Sequence, residues 1–290
     1  MQMTAEKNDI PWRKTVATLE GDRARLQQLY DRVNDPTVEY PEYYTQEFHA
    51  YEEGNLNWLA AFEVEPATFS MAMRVWPNEE GLTPPVAQQR LRSSAYDQIK
   101  AYIGGKSVDD VLDVGCSTGV STRYLARAFP NAQVLGLDLS PNFLSVALLR
   151  QEHDKECRAI FEEHLDVLDN VSYVHANFEH SGLPDASLDL ILLQFIAHEL
   201  PAEPTVAMAK EAMRLLRPGG VVGLIDNDPE SPVIQGLPAP IFSLMKSTEP
   251  HSDVYYAFDQ KKNYEQAGFV DVQKTAVDPR HRLVLGRKPL

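Results

Sequence analysis

Acidic and small residues at a spacing that suits ligand binding lie in one segment, VLDVGCSTGVST, at residues 111–122. Asp113 precedes two glycines, Gly115 and Gly119, which bracket Ser117. Glycine permits a sharp turn and a close helix approach that turn backbone N–H groups towards a ligand, and Asp113 can receive a ligand ammonium group directly or through water. The apolar run before the turn and the helix-forming sequence after it predict the point where an α/β sheet admits a nucleotide-like ligand.

Further carboxylates and histidines follow the later predicted strands. Asp138 ends the second strand about 20 residues on, where a carboxylate can accept both hydroxyls of a ribose. The candidates for a general base are His198 after the fourth strand, Asp226 after the fifth, and His49 from an aromatic segment. Structural alternatives stay open, because a lone histidine can be a capping residue and Asp226 with its neighbours can form a turn.

Strands and helices alternate through the second part of the chain, and this alternation must position those residues. Strands are predicted at residues 108–114, 132–140, 171–178, 188–200 and 221–227, and a last pair at 269–278 and 282–288. Helices are predicted at residues 88–102, 121–129, 140–168, 207–217 and 259–267. Residues 188–200 are nearly all apolar, as a strand buried on both faces must be. The pattern predicts an α/β fold with a doubly wound, mostly parallel seven-stranded sheet.

Residues 1–85 predict a helical extension ahead of a sheet domain at residues 86–290. Leucines at positions 19, 26 and 29 have helical spacing in an amphipathic stretch that ends at Asp35-Pro36. Residues 40–76 are rich in aromatic side chains, including Tyr44, Tyr51 and Trp58, and predict a lid or an acceptor-pocket wall, although each ring can equally belong to a core. Paired prolines at the end of residues 78–85 predict a linker.

Composition excludes several classes of partner. The formal net charge of -15 over 290 residues opposes binding to nucleic-acid phosphates. The two cysteines, Cys116 and Cys157, have no zinc-site spacing, which predicts no bound metal and a reducing compartment. No apolar run approaches the roughly 18 residues of a membrane span. The expected partner is a small molecule.

Residues 108–225 resemble a class I S-adenosylmethionine-dependent methyltransferase of the broad group that includes the quinone-ring C-methyltransferases. The glycine motif of that family reads acid-x-Gly-x-Gly-x-Gly, with Ser117 here at the middle glycine, and LRPGG at residues 216–220 matches its turn before strand five. The resemblance implies that Gln194 and Phe195 face the sulfonium and the acceptor, and that the residue pair after strand three flanks the adenine. The cofactor contacts implied are Asp113, Gly115, Cys116, Ser117, Gly119, Asp138, Leu139, Asn177, Phe178 and Gln194.

The resemblance implies methyl transfer from S-adenosyl-L-methionine, which leaves S-adenosyl-L-homocysteine, to a small lipophilic or aromatic metabolite. It extends to plastid methyltransferases of plants and algae, which implies the plastid stroma, with the cytoplasm as the alternative. Two other functions stay open. The chain could bind the cofactor as a catalytically silent scaffold, or Gly115-Cys-Ser117-Thr-Gly119 could be the Gly-x-Ser-x-Gly elbow of a serine hydrolase with Asp226 and His251.

Overall fold

One mixed sheet forms the centre of the protein in a computed structural model, which describes residues 1–47, 51–152, 168–238 and 250–290. Its 7 strands have the order β3-β2-β1-β4-β5-β7-β6. They are β1 Asp110–Val114, β2 Gln133–Asp138, β3 Val171–His175, β4 Leu188–Gln194, β5 Leu216–Asn227, β6 Val270–Ala276 and β7 His281–Arg287. Strands β1 to β5 run parallel, whereas β7 runs antiparallel between β5 and β6. The predicted doubly wound α/β fold is confirmed.

Helices cover both faces of this sheet. They are α1 Gln2–Lys7, α2 Trp12–Gly21, α3 Arg23–Val33, α4 Trp58–Met73, α5 Pro84–Ile103, α6 Val120–Ala128, α7 Pro141–Gln151, α8 Ala202–Leu215, α9 Pro232–Gln235, α10 Ser252–Ala257 and α11 Gln260–Ala267. Successive side chains of β4 enter opposite cores, with Ile191 packed on the α8 side and Leu192 on the α5 side. This explains the apolar sequence of β4. Within the described ranges, no helix combines the length and apolarity needed to span a membrane.

The amino-terminal helices pack on the sheet domain through α7. Leu26 and Leu29 of α3 share an apolar cluster with Phe143 of α7. Asp22 separates α2 from α3, so the predicted amphipathic stretch is several short helices and not one. A buried carboxylate in α4, Glu65, forms a second connection because it binds two buried arginines. Its partners are Arg123 of α6 at 3.3 Å and Arg150 of α7 at 2.8 Å.

Several predicted boundaries are wrong, each for a local reason. Helix α5 begins at Pro84, since proline at the first two helical positions loses no hydrogen bond. Strand β4 ends at Gln194 because Phe195 takes a left-handed backbone conformation, with φ 61°. Strand β5 already begins at Leu216, and a register shift against β4 accommodates its Pro-Gly-Gly turn. The helix predicted through residue 168 falls largely on residues outside the described ranges, and the domain division at residue 85 stays a prediction.

Candidate active site

The loop from Gly115 to Gly119 joins β1 to α6 and requires glycine at both ends. Both residues have positive φ, 66° and 75°, and Ser117 between them has φ 51°. A Cβ atom on Gly115 would lie 2.6 Å from Ile196 Cγ2, and one on Gly119 would lie 2.1 Å from Tyr173 Oη. The predicted sharp turn is therefore present, and side chains beneath it leave no room for larger residues at its ends.

Asp113 supports this loop from inside. The residue is completely buried. Its Oδ2 accepts hydrogen bonds from Ser121 Oγ at 2.6 Å and Thr122 Oγ1 at 2.7 Å, and its Oδ1 accepts one from Gln194 Nε2 at 2.9 Å. Burial raises the pKa of Asp113 although these hydrogen bonds oppose the shift. The carboxylate thus ties β1 to α6, and its contact with a ligand ammonium group, directly or through water, stays a prediction.

Gln194 extends the same network towards α5. Its Oε1 accepts hydrogen bonds from Tyr96 Oη at 2.9 Å and from Arg92 Nη1 at 3.0 Å. This buried amide is thus committed to protein partners, and the implied position of Gln194 at the sulfonium stays a prediction. Sequence reasoning missed Arg92. Its guanidinium carbon lies 5.2 Å from the Phe195 ring centroid, and the guanidinium donates to the Gln88 amide oxygen. The available signal was a charged residue on the buried stripe of α5.

Asp138 lies against the glycine loop at the end of β2. Its Oδ2 accepts a hydrogen bond from the Ser117 N–H at 2.8 Å, and its Oδ1 accepts one from the Ser140 N–H at 2.8 Å. The Tyr44 hydroxyl approaches Oδ1 at 3.5 Å. Burial raises the pKa of this carboxyl to about 6, against the opposing effect of the backbone hydrogen bonds. An ionised carboxylate accepts about four hydrogen bonds, so it retains capacity for ligand hydroxyls.

The other predicted cofactor contacts have side chains that are buried or bonded to neighbouring backbone groups. The N–H of Cys116 donates to Leu137 O, its carbonyl accepts from Gly119, and burial raises the pKa of its thiol well above the usual range. The Phe178 ring lies in the core beneath the sheet edge, so the implied adenine contact by that ring is wrong. Asn177 caps the following short helix through Glu179 N–H, at 2.9 Å. The side chain of Leu139 is nearly buried.

A strap of tyrosines, defined here as Tyr40, Tyr43 and Tyr44, lies across the ends of β2 and β3. The Tyr43 hydroxyl donates to Glu179 Oε1 at 2.8 Å, and Tyr40 Oη lies 3.1 Å from His175 Nε2. This part of the predicted lid therefore lies at the same sheet edge as the glycine loop. Two other aromatic candidates lie among the amino-terminal helices instead: Tyr51 bonds to Glu63, and Trp58 contacts Tyr30, Phe62 and Arg23.

His198 and Asp226, predicted separately, form a hydrogen-bonded pair. His198 Nδ1 lies 2.8 Å from Asp226 Oδ1, and the His198 N–H donates to Asp226 Oδ2 at 3.2 Å. Burial of Asp226 disfavours its charge, but the imidazole and the surrounding N–H groups outweigh burial and lower its pKa. Because an ionised carboxylate only accepts, Nδ1 carries the imidazole proton and Nε2 is the basic nitrogen. The pair has the arrangement of a general base with its orienting carboxylate.

Two alternatives from the sequence remain, a turn around Asp226 and a serine-hydrolase triad. Asp228 accepts the Glu230 N–H at 3.1 Å, which is the turn that the structural alternative expected. The hydrolase triad is not assembled, because Asp226 is bound to His198 and Ser117 Oγ is a buried hydroxyl without a hydrogen-bond partner in the described ranges. His49 lies outside the residues that the structure describes.

The residues around the loop fit an adenosyl cofactor. In the left-handed loop, the Ser117 N–H donates to Asp138, and this carboxylate can accept further hydrogen bonds from ribose hydroxyls. Ser117 Oγ and Thr118 Oγ1 are buried hydroxyls that no described residue satisfies, and buried polar atoms of this kind need a partner. The loop, these hydroxyls and Asp138 would hold the cofactor.

Comparison with known proteins agrees with this fit. Residues 112–224 match the family model described as "Methyltransferase domain". Methyltransferase GfsG of Streptomyces halstedii is 30% identical over 69% of this chain and 67% of its own length. Demethylmenaquinone methyltransferase of Geobacillus stearothermophilus is 30% identical over 56% of this chain and 71% of its own length.

A solved structure shares the fold. Phosphoethanolamine N-methyltransferase 2 of Haemonchus contortus, in complex with S-adenosyl-L-methionine, aligns with a TM-score of 0.54 at 16% identity. The alignment covers 81% of this chain, which spans 58% of that longer one. At this identity the likeness concerns the fold alone, whereas the sequence relatives carry the assignment. With S-adenosyl-L-methionine as its cofactor, the chain belongs to the class I S-adenosylmethionine-dependent methyltransferases of the small-molecule type.

Proposed function

We propose that this methyltransferase acts on an oxygen, nitrogen or carbon atom of a small lipophilic or aromatic metabolite, and that His198 removes the proton which that atom loses. The observation that carries the proposal is the His198–Asp226 pair, with 2.8 Å between Nδ1 and Oδ1, at the edge where β4 and β5 end. In the Rossmann-like arrangement, ligands bind outside these carboxyl ends of the strands. The pair is therefore on the side of the sheet that also carries the glycine loop.

The cofactor supplies, when bound, an electrophilic methyl group whose departure leaves a neutral thioether. The acceptor forms a bond to that methyl carbon and loses its own proton, which His198 Nε2 takes. Asp226 holds the imidazole through its hydrogen bond with Nδ1, accepts a second hydrogen bond from the His198 backbone N–H, and stabilises the imidazolium that results. Alignment of the reactants supplies much of the rate, and a positioned base adds on the order of 10² to 10⁴-fold.

The surroundings of the pair support an aromatic or lipophilic acceptor. The Tyr255 ring stands edge-on to the His198 imidazole, with centroids 6.3 Å apart. The net charge of -15 supports a small molecule over a nucleic acid. The name of the demethylmenaquinone methyltransferase relative points the same way, because demethylmenaquinone carries an aromatic ring.

The test is methyl transfer from labelled S-adenosyl-L-methionine to a panel of hydroquinones, phenols and aromatic amines. We expect His198→Asn to lower kcat by on the order of 10² to 10⁴-fold, with unchanged affinity for S-adenosyl-L-homocysteine. Asp226→Asn should lower kcat too, because an amide can donate to Nδ1 and favour the wrong tautomer. His180→Asn is the matched control, since that histidine is exposed in the short helix after β3.

Wild-type turnover in His198→Asn would contradict the proposal. Loss of S-adenosyl-L-homocysteine binding in the same variant would show that His198 supports the fold and is not the base.

A further inference from the structure

Arg282, near the start of β7, is a buried cation with two side-chain donors, Nε and Nη2, that no described residue accepts. Its relative exposure is 5%. Its Nε and Nη2 atoms are buried, and neither has a hydrogen-bond partner in the part of the chain that the structure describes. The guanidinium carbon lies 5.3 Å from the centroid of the Tyr255 ring. Buried polar groups are nearly always paired, and an unpaired buried charge is costly, so these two donors require an explanation.

The neighbours of Arg282 are already committed to other groups. Asp226 is its direct partner in the register of β5 and β7, but the Asp226 oxygens are held by His198 and by the Asn227 N–H. The Tyr255 hydroxyl donates to the Asn227 carbonyl. Lys274 on β6 extends to Glu230, at 2.7 Å. The groups around the guanidinium therefore leave its Nε–Nη2 edge to an outside acceptor.

Arg282 lies on the same face of the sheet as the proposed base. Side chains alternate along β7, and Leu283 packs with the α5 core whereas Val284 packs with the α8 core. Arg282 shares the second face with Val284. Tyr255 also belongs to that core and contacts both Arg282 and His198. The cation and the base are therefore neighbours of one aromatic ring.

The two unpartnered atoms are the pair best suited to an oxyanion. Nε and Nη2 form one edge of the guanidinium, and their N–H groups run parallel, so they can bind two oxygens of a carboxylate or a phosphate side by side. A neutral hydroxyl or carbonyl offers a single oxygen, which can accept both N–H groups only at bent angles and brings no negative charge to the cation. The chemistry of this edge therefore selects an anion with two oxygens on one centre.

We propose that Arg282 binds an anionic group, a carboxylate or a phosphate, on the methyl acceptor. This inference rests on the proposed function and specifies its acceptor class: a small aromatic or lipophilic body that also carries a negative charge. The anion is a handle and not the methylated atom, because an oxyanion has no proton for His198 to remove. Binding at Arg282 would hold the acceptor's reactive X–H group beside the base.

The test uses binding alone, so that it does not require the natural acceptor. Benzoate, phenyl phosphate and neutral benzamide are titrated into the S-adenosyl-L-homocysteine complex of the full chain by calorimetry. We expect wild type to bind at least one of the two anions about tenfold or more tighter than benzamide, a preference that Arg282→Gln abolishes while benzamide binding stays unchanged. The better anion identifies which oxyanion the site prefers.

Arg287→Gln is the matched control, because it removes the same charge from the same strand at the opposite sheet edge, where Arg287 binds Gly219 O and Tyr102 O. Retained binding of S-adenosyl-L-homocysteine shows that each variant is folded. Should Arg282→Gln not fold, Arg282→Lys replaces it, because lysine keeps the charge without the paired donors. We expect Arg282→Lys to prefer anions over benzamide, but less strongly than wild type does.

Equal affinity of wild type for benzamide and both anions, no measurable anion binding at millimolar concentration, or a full anion preference in Arg282→Gln or Arg282→Lys would overturn the inference. Failure of the proposed function gives a different result. If His198→Asn still transferred methyl groups, His198 would not be the base. Loss of the anion preference in Arg282→Gln would nevertheless identify an anion site.

Discussion

The carboxyl group of Asp138 couples stability to pH with a sign opposite to that of most carboxylates. Its pKa is about 6 in the folded protein, against an ordinary value of 3.8. The folded state therefore holds this proton more strongly than the unfolded state does, and stability from Asp138 grows as the pH falls from about 6 towards 3.8. Integrated over this window, the difference corresponds to about 3 kcal/mol of unfolding free energy.

Cofactor binding should respond to the same proton in the opposite direction. Ribose hydroxyls donate to an ionised carboxylate, so protonation of Asp138 removes their acceptor. With a pKa of about 6, roughly nine tenths of the protein carries this proton at pH 5. We therefore expect the affinity for S-adenosyl-L-homocysteine to fall about tenfold between pH 7 and pH 5, while Asp138 stabilises the ligand-free protein.

The comparison of wild type with Asp138→Asn isolates this effect. Urea unfolding of both ligand-free proteins is measured across this range of pH, and other carboxylates such as Asp226 cancel in the difference. Calorimetry with S-adenosyl-L-homocysteine follows the affinity at the same pH values. Parallel stability curves for the two proteins, or a wild-type affinity that does not change with pH, would refute the reasoning.

Three further substitutions test packing and loop geometry. Glu65→Gln leaves two buried arginines without their carboxylate and should cost about 3 to 5 kcal/mol in urea unfolding. Its control is Glu79→Gln, in an exposed ion pair, which should leave the unfolding free energy nearly unchanged. Ser117→Gly and Ser117→Ala both remove an unpaired hydroxyl, but only glycine relieves a φ of 51°, so Ser117→Gly should have an unfolding free energy about 1 kcal/mol higher than that of Ser117→Ala. Gly119→Ala, with its Cβ 2.1 Å from a tyrosine hydroxyl, should abolish S-adenosyl-L-homocysteine binding, and retained affinity would contradict that geometry.

The order of elements could be predicted because each strand and helix has a local signature. The apolar run of β4 reflects burial on both faces, and Ser140, a residue type that favours helix starts, caps α7 by accepting the Phe143 N–H at 3.2 Å. Boundaries failed where a single residue decides them. Nothing in the residue types around Phe195 indicates its positive φ.

The site was predictable at strand ends and not within buried networks. His198 and Asp226 could be identified because parallel strands bring their carboxyl ends to one edge, although their hydrogen bond could not. Arg92 and Arg282 were missed, since their surroundings depend on elements distant in sequence. The hydrogen bond from Arg92 to Gln194 joins α5 to β4, and the register of β5 and β7 sets Arg282 opposite Asp226. The plastid location stays a prediction.

The reversed direction of β7 has a consequence for how this enzyme can diverge. Because β7 runs against β5, its first residues reach the edge at which β1 and β2 end. The glycine loop lies early in that domain and Arg282 lies within the last strand. Exchange of the final hairpin between related chains would therefore change acceptor preference and leave the cofactor loop intact.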